Sequence, residues 1–121
     1  MLIFFYVLTV TLLLLHEIES SYEKEWEILN LPGKITGFLL LHIPIIFIFF
    51  FGFYCIIQYP NMKFIISLII GVSGFIPFFV HKVIVNKKEC FNKQISKIII
   101  IGSIFSGIGL IILGIVEKIY A

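Results

Sequence analysis

Three histidines and a run of carboxylates could do chemistry in this chain if they met. His16, Glu19 and Glu23 recur at the spacing of one helical face, in a stripe that continues through Ser20, Glu27 and Asn30. One imidazole and two carboxylates lie within two turns. With His42 and His81 added from neighbouring helices, they make a mixed nitrogen and oxygen ligand set for one divalent ion, zinc, iron or manganese. The same five side chains suit acid–base catalysis, because a His beside carboxylates in a low-dielectric setting can be tuned toward neutral pH. In a membrane the substrate would be lipid-like. A two-metal site is a poor fit. Ferritin-like bundles place Glu-x-x-His on two helices, whereas here His16-x-x-Glu19 occurs once, in reversed order, with no acidic residue within the second or third apolar stretch.

The elements that must position these groups are membrane helices. The chain is 60% hydrophobic and 13% charged with a mean hydropathy of +1.15, against about a quarter charged in soluble domains. Apolar stretches run from Leu2 to about Leu15, Ile35 to about Ile57, Phe64 to Val80 and Ile98 to Val116. Only helices and closed barrels satisfy the backbone in lipid, and no period-two alternation is present. The expected fold is all-α, a polytopic four-helix bundle in one integral membrane domain over 1–121. Its helices are expected at about 2–29, 35–58, 63–82 and 97–118. Leu31-Pro32-Gly33-Lys34, Gln58-Tyr59-Pro60-Asn61 and Asn86-Lys87-Lys88-Glu89 supply the turns. Because no Lys precedes the first run and His and Glu follow it, that run is expected to be retained rather than cleaved as a signal.

A hydrocarbon core takes about 20 helical residues to cross, so the run ending at Leu15 is too short alone. Either the first helix stops inside the bilayer or it carries His16 and Glu19 at membrane depth. Ionisable residues there point to function, since little compensates their desolvation. Lysines set the orientation. Seven of the nine (Lys24, Lys34, Lys82, Lys87, Lys88, Lys93, Lys97) fall in or beside the first and third loops, and two (Lys63, Lys118) on the other side. Lys-rich loops stay cytoplasmic, so both termini are expected outside a bacterial cytoplasmic membrane, with all three histidines in the cytoplasmic half. Cys55 and Cys90 then lie on opposite sides and are expected to be free, since a disulfide needs its Cα atoms within about 7 Å. A net charge of +2 gives no reason to expect nucleic acid as a partner.

A plainer reading stands beside this one. Glu25, Trp26 and Glu27 resemble a solvated helix end with a belt aromatic, and His81 beside Lys82 can mark the membrane boundary. His42, before Pro44, can bond a neighbouring carbonyl and hold the bundle together. Gly102-x-x-x-Ser106 and Ser103-x-x-x-Gly107 let helix backbones approach, within the chain or in a homo-oligomer. Gly71, Gly74 and Pro77 could kink the third helix. On this reading the protein is a non-catalytic accessory, immunity-type or transporter-associated subunit that meets a membrane-protein partner.

The run Leu15-His16-Glu17-Ile18-Glu19, with Tyr22 and Glu25-Trp26-Glu27, then Leu31-Pro32 and Leu41-His42-Ile43-Pro44, resembles an uncharacterised bacterial family of four-helix integral membrane proteins of about this length. Its members carry a His-Glu-Ile-Asp type segment followed by Glu-Trp. Glu19 stands where Asp is expected and keeps a carboxylate. The resemblance implies no activity. Membrane isomerases of the emopamil-binding type look similar only in placing His and Glu inside a small bundle open to lipid, and fold-level analogy does not establish chemistry.

Overall fold

The first apolar run does not stop at Leu15. The computed structural model, which describes residues 1–85 and 93–120, carries α1 from Leu2 to Tyr22, through His16 and Glu19. The helix expected to reach about residue 29 breaks at Lys24, whose left-handed backbone (φ 54°) turns the chain into the short α2, Glu25–Ile28. Gly33 (φ 83°) then turns the chain again and starts α3, Lys34–Gln58. A glycine suits that turn because it has no Cβ to crowd the backbone at positive φ.

A short 3₁₀ turn, Pro60–Met62, leads into the third span, built from α4 (Lys63–Ser73) and α5 (Ile76–Val80) and closed by a π-helical turn, His81–Val85. The break falls at Ser73 for a reason legible in sequence. Pro77 has no N–H to offer the Ser73 carbonyl, and its ring crowds that carbonyl four residues back. The last helix, α6, runs Gln94–Tyr120. The fold is all-α, with no strand among the described residues, and has four helices long and apolar enough to cross a membrane. Those four spans imply a bilayer as the environment of the chain. The expected turn at Asn86-Lys87-Lys88-Glu89 and the expected free thiol of Cys90 lie outside the described residues. Cys55 is buried and free.

The bundle is tightest where side chains are smallest. Gly71 of α4 meets Gly107 of α6, Gly74 meets Ser103, and Ser67 meets Gly114. A Cβ on Gly107 would stand 2.5 Å from the Gly71 carbonyl oxygen, and one on Gly71 would stand 2.8 Å from the Gly107 carbonyl oxygen. Such approach is how apolar helices gain attraction in lipid, where no hydrophobic drive separates them from their solvent. The Ser103 hydroxyl adds a bond, donating to the Gly74 carbonyl at 2.9 Å or to Ile100 at 2.8 Å. Ser103, Gly107 and Gly114 of α6 therefore pack against the chain's own third span.

Helix α3 sits differently. Its buried residues are few, namely Phe38, Phe49, Gly52, Cys55 and Ile56, while Phe47, Phe50, Phe51 and Tyr54 are exposed, as a lipid-facing surface would be. Two polar ties bind it to α1. The Tyr6 hydroxyl donates to the Phe49 carbonyl at 2.6 Å, reaching it over Gly52, where a Cβ would stand 2.5 Å from the Tyr6 oxygen. The other tie joins Glu17 to His42.

Candidate functional site

His42 is held at both ends of its ring. Nδ1 lies 2.6 Å from the Phe38 carbonyl one turn back on α3, and Nε2 lies 2.5 Å from Glu17 Oε2 on α1. A carbonyl can only accept, so Nδ1 carries a proton. The short contact on the other side then holds a second proton between Nε2 and the carboxyl group, as imidazolium with carboxylate or as imidazole with carboxylic acid. Either form is neutral overall, which keeps desolvation of the pair modest. Their side chains are 12% and 27% exposed.

Glu17 also borders a cavity of about 230 Å³ between α1, α3 and the third span. Leu13, Ile45, Phe49, Ile70 and Pro77 are among its apolar walls, and Ser73 and Glu17 are its polar ones. The Ser73 hydroxyl donates to the Ile69 carbonyl at 2.9 Å. Among the described residues that line the cavity, Glu17 is thus the one ionisable group.

Of the five residues singled out in sequence, His16 and His81 come together and the other three meet other partners. His16, buried in α1, brings its ring to 5.0 Å from that of His81, and its Nε2 lies 3.4 Å from Ser20 Oγ. Glu19 turns to α6 and accepts a hydrogen bond from the Ser96 hydroxyl. Glu23 sits 3.9 Å from Lys93 Nζ. His42 meets Glu17 instead of the His16 stripe. Among the described residues no three His, Cys, Asp or Glu side chains gather as a metal site. The reason is helical geometry. Successive residues on α1 point about 100° apart, so 16, 17 and 19 fan out toward three different neighbours.

Sequence reasoning missed Glu17 and misjudged Glu25. The buried face of α1 runs Leu2, Tyr6, Thr9, Leu13, His16 and Ser20. Extending its steps of three and four from Leu13 reaches 17 as well as 16, a signal that the polar stripe obscured. Glu25, read as interface, is only 5% exposed. The turn at Lys24 carries it back over the end of the bundle, where Ser20 hydrogen-bonds to it and the charge of His42 acts on it.

Burial raises the Glu25 carboxyl above the usual carboxylate range, with the Ser20 hydrogen bond and the His42 charge pulling the other way. An acid whose folded pKa is raised holds its proton more tightly when folded. Stability is then greatest below the unfolded value and falls as pH rises through the folded one. Glu25→Gln is accordingly expected to melt higher than wild type at pH 7, with the gap closing below the ordinary carboxylate range. Thermal melts of both proteins across pH check this.

The chain belongs to a family of unknown function (DUF6713), whose model matches residues 2–117. It agrees with the resemblance to an uncharacterised family of about this length. No curated protein and no solved structure matches the chain.

Proposed function

We propose that the protein binds a lipid-like molecule with a hydroxyl head in the cavity beside Glu17, and that the Glu17–His42 pair serves as its acid–base centre. One observation carries this reading: Glu17 is bonded to His42 through one oxygen while its side chain borders an apolar cavity. In either form of the pair the Glu17 oxygen that does not face His42 carries no proton and only accepts, so the ligand must donate a hydrogen bond. A hydroxyl does so without bringing a second charge into lipid. His42, anchored by Phe38, keeps the shared proton within reach of the bound head. General acid–base steps use this arrangement.

A second reading has its own support. Few α3 residues are buried, and Glu17–His42 is one of the polar ties that hold the helix, so on this reading the pair is a clamp in a non-catalytic accessory subunit. Ser73→Phe separates the two, because it fills the cavity and leaves the pair alone. Loss of binding of a long-chain alcohol by the Ser73→Phe protein supports the ligand site, whereas unchanged binding leaves only the clamp.

The lysine distribution supports a bundle with Glu17, His42 and His16 toward the cytoplasm and both termini outside. A C-terminal alkaline phosphatase fusion is then expected to be active and a C-terminal green fluorescent fusion dark. The reverse result inverts the orientation.

A further inference from the structure

A second cleft opens near the same end of the bundle, between the third span and α6. It holds about 320 Å³ and is lined by Phe78, His81, Lys82, Lys97, Ile100 and Ile101. Two lysines and a histidine sit at its polar end, and none of its described lining residues is acidic. Lys82 Nζ stands 5.5 Å over the Phe78 ring. Glu19, the carboxylate that α1 turns toward α6, is engaged by the Ser96 hydroxyl.

The cleft at the opposite end of the bundle makes the contrast. It too is lined by two lysines, Lys63 and Lys118. There Lys63 is paired with Glu117 at 2.8 Å, and Lys118 lies 4.3 Å over the Phe64 ring. One of its two positive charges is thus paired within the chain. Among the described residues that line the Lys82–Lys97 cleft there is no carboxylate to pair with either lysine.

We infer that the Lys82–Lys97 cleft holds the phosphate head of an anionic phospholipid. Lys82 lies at the last turns of one membrane span and Lys97 in the first turn of the next, the depth at which lysines reach the headgroup layer. Phe78 and Ile101 extend an apolar wall below the lysines, along which an acyl chain can lie. Basic pockets between membrane helices bind acidic headgroups by this combination of charge above and apolar wall below.

Native mass spectrometry of the full chain, released from vesicles of equal phosphatidylcholine and phosphatidylglycerol, tests the assignment. The wild type is expected to retain one phosphatidylglycerol in preference to phosphatidylcholine. Lys82→Gln, Lys97→Gln is expected to lose that preference, by about fivefold for each lysine removed, the size of one cation near an anionic lipid surface. Lys82→Arg, Lys97→Arg keeps both charges and is expected to keep the lipid, which separates loss of charge from loss of fold. Equal retention of the two lipids by wild type overturns the inference, as does a Gln variant that retains phosphatidylglycerol like wild type. Binding of added inorganic phosphate without any lipid preference also overturns it, assigning the cleft to a free anion instead.

Discussion

Gly107→Leu is expected to cost the bundle about 3 kcal/mol or more, the upper range for overpacking a filled interface. The obstacle is backbone, which makes the effect large. A Cβ at 107 meets the Gly71 carbonyl oxygen at 2.5 Å, and a carbonyl in the middle of a helix cannot rotate away as a side-chain tip can. The contact is also reciprocal, since Gly71 would meet the Gly107 carbonyl in the same way, so neither helix can give without separating along its length. Gly107→Ala is expected to show a smaller loss of the same sign. By contrast Gly102→Ala, whose Cβ meets only the Leu12 side chain at 3.2 Å, is expected to be mild. Unfolding in detergent titrated with denaturant ranks the three variants. Equal melting of Gly107→Leu and Gly102→Ala contradicts the packing described for α4 and α6.

The second large effect is on the Glu17–His42 pair. Removing one partner leaves the other poorly satisfied in a low-dielectric setting, so His42→Ala or Glu17→Ala is expected to destabilise the fold by about 2 to 3 kcal/mol. The partial exposure of both side chains keeps the figure below that of a fully buried pair. Replacing both at once should behave differently. Glu17→Leu, His42→Leu substitutes apolar volume for two polar groups, an exchange often neutral or stabilising in protein interiors. The double variant is therefore expected to melt near wild type while losing the acid–base centre. A thermodynamic cycle over the single and double variants checks this, and additive losses mean that the two side chains do not act on each other.

How much of this was legible in the sequence depends on the kind of information each residue carries. The four spans follow from hydropathy alone, because lipid accepts only backbones that satisfy themselves. The break near Pro77 follows from the missing N–H. Partner choice among polar residues was harder. His16, Glu19 and Glu23 do share a helical spacing, but spacing on one helix does not say which neighbour each residue faces. Glu19 goes to Ser96 and Glu17 to His42 because α6 and α3 lie on different sides of α1. Glu25 was hidden by a single residue. No periodicity foretells that Lys24 adopts φ 54°, yet that turn converts an apparent surface carboxylate into a buried one.

His42 meets Glu17 rather than the His16 stripe. Its partner Glu17 borders a cavity that the sequence did not reveal, since apolar residues such as Leu13, Ile45, Phe49 and Ile70 carry no mark of which helix they face. The most direct test is photolabelling in phosphatidylcholine nanodiscs with a diazirine-bearing long-chain alcohol, set against its methyl ether. Wild type is expected to label saturably within α3 to α5 with the alcohol, and about tenfold less with the ether, the cost of one hydrogen bond to a charged acceptor. Glu17→Leu, His42→Leu is expected to remove that difference while remaining folded. Equal labelling by alcohol and ether in wild type contradicts a hydroxyl-binding site at Glu17.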